Sequence, residues 1–123
     1  MNEFSLRGCR IMIAEDEYML ADDLTAALGE VGAVVIGPAP SLAAAMRLIE
    51  DTPDLHGAVL DINLAGEVVY PAADALIARG VRMVFATGYD ASAIPSRYAE
   101  VPRCEKPVSM RKLAQAIGEA ISS

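Results

Sequence analysis

The chain has 123 residues, of which 54% are hydrophobic and 5% are aromatic. This length fits one compact domain over residues 1–123, and the aliphatic composition suits helices packed on a parallel sheet. The formal net charge of −7 argues against binding of nucleic acid or of an anionic membrane surface, because both require clustered cations. Two cysteines are too few for a secreted disulfide framework, and no apolar stretch has membrane-spanning length. We therefore expect a cytoplasmic protein that does not insert into membranes.

Five short apolar runs predict five strands, over residues 10–14, 33–37, 57–60, 82–86 and 103–105. Apolar residues at helical spacing follow the runs, with Gly32 ending the first helix, Ser41 and Ser109 as caps, and Pro71 near the start of the third. Residues 90–102 contain prolines and have weak periodicity, which predicts a short or irregular helix there. Residues 1–7 are predicted to be a loose tail. Strands that alternate with helices indicate βαβ units and a parallel sheet.

Polar residues with reactive side chains follow four of the predicted strands: Glu15 and Asp16, then Asp61, Thr87 and Lys106. Taken singly, each has an ordinary structural interpretation, since Asp16 could cap a helix, Asp61 could lie in a turn and Lys106 could be solvated. Ligands of open parallel sheets bind at the carboxyl ends of the strands. The coincidence of acids, a hydroxyl and an amine at that edge therefore predicts a shared site.

The acids of this predicted site favour a hard divalent cation. Carboxylates about 4 Å apart repel each other by roughly 1–4 kcal/mol, and a cation relieves that repulsion. Mg²⁺ prefers oxygen ligands and keeps several waters, so we expect Mg²⁺ as the cofactor. Asp16 and Asp61 are the predicted direct ligands, Asn63 contributes its backbone carbonyl, and Glu15 acts through water.

The remaining Asp61 oxygen is then available as a nucleophile for a phosphoryl group. Phosphoryl transfer depends mainly on positioning and charge neutralisation, and the Lys106 ammonium would neutralise one side of the transferring group. The Thr87 hydroxyl would donate to the phosphoryl group once it is attached. That contact would move Thr87 and its loop, which predicts a conformational switch.

Four segments, in this order, resemble motifs of the response-regulator receiver family: IMIAEDE, LDIN, FATG and EKP. The resemblance runs from about residue 10 to residue 121. It implies a flavodoxin-like, doubly wound (βα)5 fold whose parallel five-stranded sheet has the order 2-1-3-4-5. It also implies a sensor histidine kinase or phosphotransfer protein as phosphodonor to Asp61, and a cis peptide before Pro107.

FATG followed by Tyr89 resembles a subgroup of stand-alone receivers, which would act by binding a downstream protein or by draining phosphoryl groups from a shared kinase. Two features depart from the family pattern. Arg103 stands where receivers usually carry an aromatic residue, and Ala65-Gly66 replaces a Met-Pro loop. We expect Tyr89 or Tyr98 to take over the reporting role of the missing aromatic residue.

Two other functions are open to a chain with this pattern. A Mg²⁺-dependent aspartyl-phosphate phosphatase or phosphotransferase acting on small phosphoesters would need an acid two residues after the nucleophile, where this chain has Asn63. We therefore expect slow self-dephosphorylation and no multiple-turnover enzyme. A nucleotide- or flavin-binding domain would need a glycine-rich loop after the first strand, where this chain has Glu15 and Asp16.

Overall fold

The computed structural model describes residues 5–88 and 93–122. The strands are β1 (Arg10–Ala14), β2 (Val34–Ala39), β3 (Gly57–Asp61), β4 (Asn63–Leu64), β5 (Glu67–Val68), β6 (Arg82–Thr87) and β7 (Arg103–Glu105). Five of them form a parallel sheet in the order β2-β1-β3-β6-β7, which confirms the predicted flavodoxin-like sheet. The two short strands β4 and β5 form a separate antiparallel hairpin.

The helices are α1 (Tyr18–Glu30), α2 (Leu42–Asp51), α3 (Tyr70–Ala78) and α4 (Met110–Ser122). Two buried apolar clusters separate them into layers, with α2 and α3 on one face of the sheet and α1 and α4 on the other. Alternate residues of each strand enter opposite clusters; Phe85 faces α2 and α3, whereas Ala86 faces α1 and α4. Within the described ranges, no helix combines the length and apolar character needed to cross a membrane.

The predicted caps determine where two helices start. The Ser41 hydroxyl accepts a hydrogen bond from the Ala44 N–H at 3.1 Å, and the Ser109 hydroxyl accepts one from the Lys112 N–H at 3.3 Å. The peptide before Pro107 is cis, as the family resemblance implies, and so is the peptide before Pro38.

The described residues of the connection from β6 to β7, 88 and 93–102, contain no α-helix. Among its described residues, 93–102, the regular element is one turn of 3₁₀ helix, Ser96–Tyr98. Pro95 has no N–H to donate to a preceding helical turn, and Pro102 lies just before β7, so a long helix has little room. The prediction of a short or irregular element is confirmed for the described residues, where a 3₁₀ turn stands in place of a longer helix.

Tyr98 anchors this connection by packing against β6 and α3. Its ring is fully buried, stacks on Tyr70 with centroids 4.9 Å apart, and meets Phe85 edge-on at 5.6 Å. Its hydroxyl donates to Asp74 Oδ1 at 2.6 Å, and the Arg97 guanidinium lies 4.6 Å from the Tyr98 ring centroid. Aromatic packing and a charge-assisted hydrogen bond therefore hold a segment that has little regular structure of its own.

The start of the chain is held more firmly than predicted. Leu6 is 4% exposed and packs in the α1–α4 cluster, while its N–H donates to the Val31 carbonyl at 2.6 Å. The prediction of a loose tail over residues 1–7 is therefore wrong at Leu6, because burial of a leucine side chain offsets the entropy lost by ordering a few residues. Residues 1–4 lie outside the described part.

If Leu6 anchors the start of the chain, Leu6→Ala should lower the free energy of unfolding by about 2–4 kcal/mol, since it removes a buried leucine side chain. Urea unfolding followed by circular dichroism measures this change. Met19→Ala is the control, because Met19 is 74% exposed and its truncation should cost less than about 0.5 kcal/mol. Equal losses in the two variants would contradict the anchoring role.

Tyr98 should also make stability depend on alkaline pH. Burial, followed by the hydrogen bond to Asp74 and its charge, raises the pKa of Tyr98 to about 12. The unfolded chain loses this proton near pH 10, so the stabilisation is complete below pH 10 and is lost as the pH rises towards 12.

The phenolate absorbance of the native protein should therefore show one tyrosine that titrates above the others, and Tyr98→Phe should remove that step. Tyr18→Phe is the matched control, because the Tyr18 side chain is 78% exposed. Retention of the late step in Tyr98→Phe, or its loss in Tyr18→Phe, would show that the raised pKa belongs elsewhere.

Candidate functional site

The sheet brings the predicted site residues to one edge. Strands β1, β3, β6 and β7 are consecutive neighbours, so the residues at their carboxyl ends lie side by side. Asp61, the last residue of β3, pairs with Ala86, one residue before Thr87. Thr87 pairs with Glu105, and its carbonyl accepts a hydrogen bond from the Lys106 N–H at 3.0 Å.

Lys106 links two of the carboxylates. Its Nζ donates to Asp61 Oδ2 at 2.8 Å and lies 3.5 Å from Glu15 Oε1. Burial disfavours the ammonium form, but the hydrogen bond and charge of Asp61, with the charge of Glu15, outweigh burial and raise the pKa of Lys106. Lys106 is therefore a fixed positive charge beside Asp61, as the sequence predicted.

Glu15 is the most deeply buried of the acids, with 2% of its surface exposed. Burial raises its pKa to about 7, and the negative charge of Asp61 acts in the same direction. The Glu17 N–H donates to Glu15 Oε2 at 3.0 Å, whereas Oε1 is buried and has no hydrogen-bond partner among the described residues. The Lys106 ammonium lies 3.5 Å from this oxygen as an ion-pair partner, and a water or a cation could supply the contact at hydrogen-bonding distance that it lacks.

Each of the other two acids accepts a backbone hydrogen bond. The Asn63 N–H donates to Asp61 Oδ1 at 3.1 Å, and the Ala65 N–H donates to Asp16 Oδ2 at 3.0 Å. The residue that precedes α1 as its cap is Glu17, which makes no side-chain cap bond. The Asp16 carboxylate therefore faces the loop after Asp61, and the simpler interpretation of Asp16 as a helix cap is wrong.

The three carboxylates fit a divalent cation. One oxygen from each of Glu15, Asp16 and Asp61 lies within 4.8 Å of the others, two residues being buried and Asp16 exposed. Hard oxygen donors, a buried Glu15 oxygen without a hydrogen-bond partner among the described residues, and one solvent-facing side match a small cation that keeps some of its waters. The structure thus brings together the acids that the sequence predicted as metal ligands.

Asn63 and Thr87 lie where the sequence placed them. Asn63 is the first residue of β4, two residues after Asp61, and its side-chain Oδ1 accepts a hydrogen bond from the Gly66 N–H at 2.9 Å. Thr87 ends β6 and is 1% exposed. The predicted roles of the Asn63 carbonyl as a ligand and of the Thr87 hydroxyl as a phosphoryl donor stay predictions.

The sequence did not predict the β4–β5 hairpin that follows Asp61. Its turn is Ala65-Gly66, and both residues have positive φ, 51° and 90°. This is the pattern of a type I′ turn, for which Asn-Gly is the usual signal. Alanine rarely adopts this conformation, so the local sequence gave no indication of a hairpin or of its contact with Asp16.

Three other predictions concern the surroundings of the site. Tyr89 lies outside the described residues, so its reporting role stays a prediction. Tyr98 is buried on the α2–α3 side of the sheet against Phe85. Arg103 opens β7 in register with Phe85, and its Nε is buried without a hydrogen-bond partner in the ranges described.

Comparison with known proteins gives no matching family model and no matching curated protein. Solved structures do match. The chain is similar to SdrG from Sphingomonas melonis Fr1, with 34% identity over 94% of this chain and 97% of that chain and a TM-score of 0.80. The BeF3-activated conformation of SdrG also matches, at 34% identity over 91% of this chain and 95% of that chain, with a TM-score of 0.75.

Two further structures extend the likeness. A CheY-like response regulator receiver domain protein from Methanospirillum hungatei JF-1 is 25% identical over 93% of this chain and 94% of that chain, with a TM-score of 0.81. The response regulator PhyR from Brucella abortus is 25% identical over 92% of this chain but 47% of its own, with a TM-score of 0.77, so the chain spans about half of it. The edge geometry and these matches show that the chain belongs to the response-regulator receiver family.

Proposed function

We propose that the protein accepts a phosphoryl group on Asp61 from a phosphohistidine and changes conformation in response. The observation that carries this proposal is the position of Lys106 Nζ, 2.8 Å from Asp61 Oδ2. Two further carboxylates have oxygens within 4.8 Å of an Asp61 oxygen. An acid in such a place is a nucleophile with a fixed cation on one side and a candidate cation site on the other.

The transfer is an in-line displacement at phosphorus. An Asp61 oxygen forms the new O–P bond, the P–N bond of the phosphohistidine breaks, and the released imidazole takes a proton from solvent. The Lys106 ammonium stabilises the charge that is spread over the transferring oxygens. The backbone N–H of Lys106 donates to the Thr87 carbonyl, which holds these two residues next to each other at the ends of β6 and β7.

Asp16 and Asp61 would hold Mg²⁺ directly, Glu15 would act through water, and Asn63 would offer its backbone carbonyl. The cation would supply neutralisation of the negative charge that gathers when a phosphoryl group meets these acids. The chain's own contribution is to hold the carboxylates in place through the N–H groups of Glu17, Asn63 and Ala65.

The phosphodonor is proposed to be a sensor histidine kinase or a phosphotransfer protein. Tyr18 and Met19, at the start of α1, are 78% and 74% exposed and lie two and three residues after Asp16. Large exposed apolar side chains beside a reactive site are typical of a protein-binding surface. A protein that presents a phosphohistidine to Asp61 would contact them.

We propose that the chain belongs to the FATG-plus-Tyr subgroup of receivers and acts in the cytoplasm, either by binding a downstream protein or by draining phosphoryl groups from a shared kinase. The BeF3-activated structure of SdrG shows that this relative has an activated conformation. In the present chain Arg103 replaces the usual aromatic residue, and Tyr98, buried against Phe85, is the described tyrosine proposed to report activation.

The second candidate, an aspartyl-phosphate phosphatase, has weaker support. The residue two positions after Asp61 is Asn63, whose amide cannot transfer a proton and whose Oδ1 already accepts the Gly66 N–H at 2.9 Å. We therefore propose a phosphoacceptor that loses its phosphoryl group slowly and is not a multiple-turnover enzyme.

Intact-mass spectrometry after incubation with Mg²⁺ and acetyl phosphate tests the proposal. The wild-type protein should gain one phosphoryl group, and Asp61→Asn, which is nearly isosteric, should gain none. Lys106→Ala should reduce the yield strongly, because it removes the cation that lies 2.8 Å from the nucleophile. Labelling of Asp61→Asn equal to wild type would overturn the assignment.

The same samples separate a phosphoacceptor from a phosphatase. We expect the phosphorylated species to accumulate, with little release of inorganic phosphate from a small phosphoester over many equivalents. Continuous release that depends on Asp61, without accumulation, would favour the phosphatase.

Mg²⁺ should stabilise the fold by about 1.4 kcal/mol at ten times its dissociation constant, because it binds the native site and not the unfolded chain. Thermal unfolding across millimolar Mg²⁺ measures this gain. Asp16→Asn should abolish most of it. Asp54→Asn should keep it, because Asp54 lies at the opposite edge of the sheet, paired with Arg10 at 3.0 Å. An unchanged melting temperature in the wild-type protein would contradict a cation site.

A further inference from the structure

We propose that the β4–β5 hairpin, Asn63–Val68, positions the Asp16 carboxylate for the divalent cation and thereby sets the affinity of the site. This inference rests on the proposed cation site. It assigns a role to a segment in which the usual loop is replaced by Ala65-Gly66.

The inference starts from the exposure of Asp16. Of the three clustered acids, Glu15 and Asp61 are buried, whereas Asp16 is exposed. Glu15 and Asp61 are confined by their surroundings and by contacts with Lys106. An exposed aspartate can adopt several side-chain rotamers in solution, and each rotamer that turns it away from its neighbours weakens cation binding.

The hydrogen bond from Ala65 restricts that freedom. The Ala65 N–H meets Asp16 Oδ2 at 3.0 Å across 49 residues of sequence. A backbone donor to a carboxylate is a charge-assisted hydrogen bond, which is stronger than one between neutral groups. Each carboxylate oxygen has more than one lone pair, so this bond leaves the Asp16 carboxylate able to bind a cation as well.

The donor itself is held in place by the hairpin. Leu64, next to Ala65, is fully buried in the α2–α3 cluster, and so are Ile62 and Val69 on either side of the hairpin. The Val69 N–H donates to the Ile62 carbonyl at 2.8 Å, which closes the base of the loop. The base of the hairpin is therefore anchored to the core on both sides of the turn.

The turn conformation is what aims the Ala65 N–H at Asp16. Ala65 has φ of 51°, a left-handed conformation that alanine rarely adopts. Gly66 has φ of 90°, and its N–H donates to Asn63 Oδ1 at 2.9 Å across the turn. A change that disfavours positive φ at Gly66 should loosen the turn and release Asp16.

Gly66→Ala is a suitable disruptive variant, because an added Cβ would meet no atom within 4 Å and only backbone strain is introduced. Gly80→Ala is its matched control. Gly80 also has positive φ, 72°, with open space around its Cβ position, and it lies past the end of α3, away from the acids. Ala65→Asn is a third variant, because asparagine tolerates this conformation and Asn-Gly favours the type I′ turn.

The experiment is a Mg²⁺ titration of the full chain followed by backbone amide NMR. Gly66→Ala should raise the dissociation constant by about threefold to tenfold, while Gly80→Ala and Ala65→Asn should leave it within about twofold of wild type. Without Mg²⁺, the chemical shift of the Ala65 amide proton in the wild-type protein should be downfield of the usual value for an alanine, because this proton is hydrogen-bonded to a carboxylate. It should move upfield in Asp16→Ala and in Gly66→Ala, because each breaks the bond to the carboxylate.

Each contrary outcome has a distinct meaning. Equal affinity in Gly66→Ala and Gly80→Ala would overturn the positioning role and leave the cation site standing. A weaker site in Gly66→Ala with an unmoved Ala65 amide would also overturn it, because the effect would then not pass through Asp16. Absence of Mg²⁺ binding by the wild-type protein would overturn this inference and the proposed cation site together.

Discussion

Repulsion among three carboxylates at one sheet edge is the constraint on which the rest of the site depends. Glu15, Asp16 and Asp61 have oxygens within 4.8 Å of one another, and the Lys106 ammonium contacts Glu15 and Asp61. One ammonium cannot neutralise three carboxylates, and burial makes the imbalance more costly because charges interact more strongly away from water. Burial raises the pKa of Glu15 to about 7, and the negative charge of Asp61 acts in the same direction. A site of this kind gains free energy from any added positive charge.

The parallel sheet makes the arrangement possible. Hydrogen bonding between neighbouring strands fixes the depth at which each strand ends, so Asp61, Thr87 and Lys106 occupy fixed positions without any direct contact being needed to bring them together. Lys106 follows an edge strand of three residues, and the bond from its N–H to the Thr87 carbonyl extends the pairing by one more step. The reactive groups thus sit on rigid backbone, while the loops beyond them can change.

The sequence was sufficient to predict those elements whose local pattern agrees with the tertiary structure. The buried run before Asp61 and the serine caps at Ser41 and Ser109 are local signals, and each produced the element expected from it. The sequence was insufficient to predict conformations that depend on contacts between residues distant in sequence. The residues around Leu6 do not indicate that its N–H donates to the Val31 carbonyl. An Ala-Gly pair does not indicate a type I′ turn, because the strain at Ala65 is offset by the burial of Leu64 and by Asp16, 49 residues away. Prolines and weak periodicity indicated an irregular segment before Pro102. They did not indicate that the buried ring of Tyr98 would attach this segment to the core.

The two departures from the regular pattern meet on one side of the sheet. The hairpin enters the α2–α3 cluster through Leu64, and the 3₁₀ segment enters the same cluster through Tyr98. Phe85, which Tyr98 contacts, lies two residues before Thr87 on β6 and therefore on the same face of that strand. Because a close-packed core cannot deform at one point without adjustment nearby, a shift of the Asp61 loop or of Thr87 must be accommodated in this shared cluster. The opposite cluster, between α1 and α4, receives Ala86 and Val84 and contains neither irregular segment. The α2–α3 side of the sheet therefore contains both segments between β3 and β7 that depart from the regular strand–helix pattern, and their buried side chains share one core.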